Sequence, residues 1–153
     1  MADDSILSRI QTDMTIAMKA RDASTLSTLR MLKSAIMEAR TRKPRDAALT
    51  AGEEIEVLQR YAKKRREAIE EFRRLGRDDL VGNEEHEILV TTAYLPAGLS
   101  DDELRALIRD AVTRTGAAGP KDMGKVIGAV MAQAKGRAEG GTVSRLVKEA
   151  LGG

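Results

Sequence analysis

Aliphatic residues recur three and four positions apart through almost the whole chain, and no stretch alternates well enough to make a strand. Ile6, Ile10, Met14 and Ala17 form one such stripe, and Leu26, Leu29, Leu32 and Ile36 form a second. Ile55, Leu58, Ala62 and Ile69 form a third, running on to Phe72 and Leu75, and Ile88, Leu89 and Ala93 a fourth. Beyond Pro96 the spacing resumes at Leu104, Leu107, Ile108 and Ala111, then Val126, Ile127, Val130 and Met131, then Val143, Leu146, Val147 and Leu151. A core built on this pattern is helical, and the fold class expected is all-α. The near absence of aromatics agrees, because Phe72, Tyr61 and Tyr94 are the whole set. It also argues against modules that stack bases on exposed rings.

Punctuation divides the pattern. Asp4 or Ser5 can cap the first helix, and Ser24 or Thr25 the second. Pro44 ends the second helix and opens a loop with a basic start. Thr50 with Glu53 and Ser100 with Glu103 have the spacing of capping boxes. Gly76 and Gly116 suit helix ends, and Thr142 suits a start. Leu95-Pro96-Ala97-Gly98 is the strongest break. The expected organisation is an N-terminal domain of about four helices over residues 1–95 and a small three-helix domain over residues 96–153.

Composition excludes several chemistries. The chain has no cysteine, which removes disulfides, thiol catalysis and sulfur-ligated zinc. His86 is the single histidine and, flanked by Glu84, Glu85 and Glu87, reads as a solvated surface residue. No serine sits in a nucleophile elbow, and Lys33 and Ser34 are adjacent, so they point apart on a helix. Gly124 and Gly128 lack the Lys-Ser/Thr ending of a phosphate loop. Asp78-Asp79 and Asp101-Asp102 stand at helix starts, where the backbone dipole favours them. No catalytic residue, metal or cofactor is expected. The start M-A-D-D-S does not read as a secretory leader, and no apolar run reaches a membrane span, so the expectation is a soluble cytoplasmic protein.

The stretch from Pro120 to Gly141 concentrates unusual residues. Gly124 and Gly128 lie inside a helical pattern, where glycine is costly unless something must come close. Two readings stay open: helix packing, or backbone approach by a ligand. Gly136 and Gly140 join them as turn glycines. Lys121, Lys125, Lys135 and Arg137 belong to a stretch with a surplus of cations, since residues 114–148 hold seven basic and two acidic side chains. Such a surplus can meet phosphates without reading sequence.

Five segments resemble signatures of the GatB/YqeY family: Leu26 to Ile36, Arg65 to Phe72, Gly76 to Leu80, Glu87 to Pro96, and Pro120 to Gly140. The match runs in order along almost the whole chain, like a free-standing YqeY-like protein. It implies an all-helical fold similar to the C-terminal tail of the B subunit of glutamine-dependent Asp/Glu-tRNA amidotransferase, a tail that contacts tRNA. Carried over residue by residue, it adds Arg30 and Lys33 to the RNA-contacting candidates Lys121, Lys125, Lys135 and Arg137. The carbon–nitrogen ligase activity with glutamine as amido-nitrogen donor belongs to parts of that enzyme this chain lacks. The expected function is therefore a non-catalytic accessory protein contacting tRNA or structured RNA. The alternative is a protein-interaction or structural module, with a partner in the translation machinery. Oligomeric state is left open.

Overall fold

The computed structural model describes residues 4–45, 47–134 and 136–152. It is all-α: the described residues form seven α-helices and two short 3-10 turns. The chain divides into two compact units, residues 1–95 and 96–153.

The first unit holds α1 (Ile6–Lys19), α2 (Ala23–Arg40), α3 (Ala51–Arg74), a 3-10 turn at Asp78–Leu80, and α4 (Val81–Thr92). The aliphatic stripes meet as their spacing requires. Ile10, Leu29, Leu32, Ile36 and Leu58 are fully buried in one cluster, with Ile6, Ala17, Val57 and Tyr94 around them. α1 packs on α2, α3 lies along α4, and α2 touches both α3 and α4. Ser5 caps α1 by accepting from Ser8 N, and Thr50 and Glu53 form a full capping box on α3.

Three local features depart from the sequence expectation. The N-cap of α2 is Asp22, which accepts from Thr25 N, rather than Ser24 or Thr25. The turn before it carries Arg21 at φ 57°, a left-handed conformation usually taken by glycine. Leu75 and Leu89 point outward, at 64% and 70% exposure, although both fit apolar stripes. α4 instead buries Val81 and Thr91, whose hydroxyl donates to the Glu87 carbonyl at 2.7 Å.

The partly buried polar seam between α3 and α4 centres on Arg65. Its Nε lies 3.4 Å from Glu84 Oε2, its Nη1 lies 3.7 Å from Glu87 Oε2, and its guanidinium stacks 4.8 Å from the Tyr61 ring centroid. Tyr61 in turn donates its hydroxyl to Glu87 Oε1 at 2.9 Å. Burial pushes the Glu84 carboxyl upward, and the Arg65 charge opposes it.

The second unit holds α5 (Asp101–Thr115), a 3-10 turn at Pro120–Asp122, α6 (Met123–Ala134) and α7 (Gly140–Ala150). Each of the three helices packs on the other two. Their core is Leu104, Ile108, Ala111, Val126, Val130, Ala134, Val143, Leu146 and Val147. Ser100 caps α5 by accepting from Glu103 N, and Gly116 ends it at φ 68°. α7 begins earlier than expected: Gly140 and Gly141 belong to its first turn, and Thr142 is not its cap.

Candidate nucleic-acid interface

Pro120 opens the 3-10 turn that leads into α6, so the polypeptide is already helical at Lys121. Val126, Val130 and Ala134, four residues apart, bury one side of α6 against α5 and α7. Geometry then leaves Lys121, Gly124, Lys125, Gly128, Ala132 and Gln133 exposed. Lys121 and Lys125 have no hydrogen bond or ion pair among the described residues. Apart from its chain neighbours and the helix's own backbone, nothing stands within 4 Å of where a Cβ at Gly124 or Gly128 would be. The helix-packing reading of these two glycines is therefore corrected: they support no close contact within the second unit, because the packed side of α6 is the aliphatic one. What they leave is bare helix backbone beside the two lysines.

Arg137 has a different position. Its backbone carbonyl accepts from Leu99 N at 2.8 Å, and its Nε donates to the Ala97 carbonyl at 2.9 Å. The side chain is exposed but ties the segment entering α5 to the turn after α6. Gly136 beside it adopts φ 82°, which only glycine takes without strain. Lys135 lies outside the described residues. Gly140 is exposed, with open space where a Cβ would stand. Arg30 and Lys33 lie on α2 of the first unit, three residues apart, the first exposed and the second half-buried. The structure thus brings Lys121, Lys125, Gly124 and Gly128 onto one face, and keeps Arg137 at a loop contact. Replacing Arg137 with alanine removes the bond to Ala97, and we expect a loss of about 1 kcal/mol in the second unit. Denaturant melts of wild type and variant measure it, and an unchanged midpoint contradicts it.

His86 is not simply solvated. It is half-buried, with Nε2 3.3 Å from Ser24 Oγ and 3.5 Å from Thr25 Oγ1. Sequence reasoning missed this contact because 62 residues separate the partners. A serine beside a histidine invites a nucleophile reading, but the nearby carboxylate is in the wrong place. Asp22 accepts from Ser24 Oγ at 3.4 Å and from Thr25 N at 3.2 Å, so it caps α2 instead of orienting the imidazole. Hydrogen bonds from Thr25 hold its carboxyl below the usual range. Among the described residues no group of three His, Asp or Glu side chains could hold a metal ion. No described helix is long and apolar enough to cross a membrane.

A cleft of about 340 Å³ opens elsewhere in the first unit, between α1, the start of α2 and the end of α4. Ile16, Ala17, Leu29, Val90 and Ala93 give it an apolar lining. At one end Tyr94 donates its hydroxyl to Asp13, and the Arg9 guanidinium lies 5.1 Å from the Tyr94 ring centroid.

Residues 7–151 match the model of a family described as Yqey-like protein. The chain is also 32% identical, over 154 residues, to "Altered inheritance of mitochondria protein 41, mitochondrial" of Pyrenophora tritici-repentis. That alignment covers 96% of this chain and 81% of the relative. With the family match reaching into all seven helices and the relative aligned over nearly the whole chain, the chain belongs to the YqeY-like family.

Proposed function

We propose that the protein is a non-catalytic accessory factor whose second unit contacts tRNA or another structured RNA through the outer face of α6. The observation that carries this reading is the pairing of exposed, unpartnered Lys121 and Lys125 with Gly124 and Gly128, over which nothing packs. Gly128, inside α6, costs the helix roughly 1 kcal/mol relative to alanine, and Gly124 in its first turn costs less. No contact within the second unit offsets that cost, whereas a phosphate backbone lying on the bare helix would. The lysines neutralise phosphates, and the absent Cβ atoms let the strand come near. The resemblance of Pro120 to Gly140 to the RNA-contacting amidotransferase tail points the same way.

The test is binding of total tRNA by wild type and by a Lys121→Gln/Lys125→Gln variant across a salt series. Loss of two phosphate contacts is expected to lower the slope of log affinity against log salt by about 1.4–1.8. Helicity should be unchanged, since both side chains are exposed and unpartnered. Equal affinity and slope for the two proteins would remove α6 as the contact.

The second reading is a protein-interaction module, favoured by the apolar cleft of the first unit and by Ile16 at its wall, which is 60% exposed. Wild type that fails to bind tRNA even at low salt would shift the balance to it. The arrangement at Ser24 and His86 gives no support to an independent amidotransferase.

A further inference from the structure

Two basic runs lie far apart in the sequence. Arg40 to Arg45 reads R-T-R-K-P-R, and Arg60 to Arg66 reads R-Y-A-K-K-R-R. The first spans the end of α2 and the following turn, the second the middle of α3. Packing of α2 on α3 brings the runs to one groove. It has a volume of about 260 Å³, an apolar base of Ala35, Ala39 and Val57, and Arg42, Arg60 and Lys64 among its walls.

The partners of these cations decide what the groove offers. Lys43 is committed to Glu53 at 2.6 Å, a contact that holds the Glu53 carboxyl down at about 2. Arg65 is committed to Glu84 and Glu87. Arg42 makes an ion pair to Glu38 at 3.4 Å, with both side chains more than 70% exposed. Exposed pairs of this kind are weak and easily exchanged for another anion. Arg60 and Lys64 have no hydrogen bond or ion pair among the described residues. They stand four residues apart and so share one side of α3. Among the described residues, Glu38 is the single acid lining the groove, against three cations.

Tyr61 also lines the groove, but its ring is stacked by Arg65 and its hydroxyl is used by Glu87. Stacking of a base on that ring would compete with the guanidinium already there. The groove therefore favours charge over a base face, and two neighbouring cations suit successive anionic groups.

We propose that the α2–α3 groove is a phosphate-chain site, in which Arg60 and Lys64, joined by Arg42, bind consecutive phosphates of an RNA strand without reading its sequence. This site lies in the first unit and is independent of α6. A free polyphosphate chain presents the same chemistry, so both are probed.

The experiment measures a labelled 12-nucleotide single-stranded RNA by fluorescence anisotropy, and sodium tripolyphosphate by calorimetry. The proteins are the full chain, an Arg60→Gln/Lys64→Gln variant, and the Lys121→Gln/Lys125→Gln variant. For the groove variant, the salt slope on RNA should fall by about 1.4, which is roughly 25-fold weaker binding at 0.1 M monovalent salt. Tripolyphosphate affinity should fall as well, with circular dichroism unchanged. Loss on tripolyphosphate with RNA binding intact overturns the strand as occupant. Equal binding of both probes by wild type and the groove variant, or no binding of either by wild type, overturns the site. An effect of the groove variant without one of the α6 variant on this RNA or on tRNA supports the groove and removes the α6 reading, so the two proposals fail separately.

Discussion

Replacing Glu54 with alanine is expected to destabilise the first unit by about 3 kcal/mol. Glu54 is a charged residue in α3 that is only 4% exposed. Its two oxygens accept from the first backbone N–H groups of α1: Oε1 from Ile6 N at 3.1 Å and Oε2 from Leu7 N at 2.9 Å. Those donors belong to the set that no helix can satisfy internally. The carboxylate also faces the positive end of the α1 dipole, which favours a negative charge there. Alanine would leave both N–H groups without that acceptor and open a void beside Ile6, a core residue. Hydrogen bonds to a charged group are worth about 1.5–3 kcal/mol each, and part of that returns when water enters. Glutamine should fall between the two, because it offers one carbonyl oxygen and turns an amide donor toward the other N–H. Urea denaturation of the three proteins measures the order wild type, Glu54→Gln, Glu54→Ala. A midpoint for Glu54→Ala equal to wild type would show that α1 is not anchored through this carboxylate.

Glu54 also marks where sequence reading stops. Its neighbours Thr50 and Glu53 announce a helix start by spacing alone, and the capping box they predict is present. Leu29, Leu32 and Ile36 are legible as core for the same reason, since a 3.6-residue period puts them on one side. Glu54 sits one position past that box and looks like an ordinary first-turn acid. Its true partners are 47 and 48 residues away and exist only once α1 is docked. The contact between His86 and Ser24 is hidden in the same way. Leu89 fails for a different reason: α4 turns Thr91 inward, where the Glu87 carbonyl satisfies its hydroxyl, and turns a leucine outward. Of the candidate site, the exposure of Lys121 and Lys125 followed from the apolar side of α6. The same spacing puts Gly124 and Gly128 on the lysine face, away from Val126 and Val130, but it does not say whether another element covers that face. The α2–α3 groove was illegible as a unit, since its two basic runs are separated in sequence and meet only when α2 packs on α3.

The second large effect is expected at Ile108. Ile108→Ala should cost about 3–4 kcal/mol, from lost transfer energy and the cavity left behind. The side chain is 1% exposed and belongs to the cluster shared by α5, α6 and α7. That cluster contains no aromatic residue, and much of it is valine and alanine. Leu104, Ile108 and Leu146 are its largest fully buried members, so little remains to close around a deletion. A unit of residues 96–153 can hold roughly 3–9 kcal/mol in total by ordinary per-residue stability. The substitution therefore removes a large part of the whole, and in a marginal case all of it. Hydrogen exchange resolves the outcome by element. Amides at Val126 and Val130 of α6, and at Leu146 and Val147 of α7, should lose most of their protection. Amides at Leu32 in α2 and Leu58 in α3 should keep theirs, because the two hydrophobic clusters share no residue. Protection retained in α6, or lost equally in α2 and α3, contradicts this. On the proposed reading this bears on function, because the face bearing Lys121 and Lys125 exists only while Val126 and Val130 hold α6 in place. On the proposed reading, Ile108→Ala should weaken tRNA binding to the extent that the second unit unfolds, with loss of helicity, whereas Lys121→Gln/Lys125→Gln should weaken it with helicity kept.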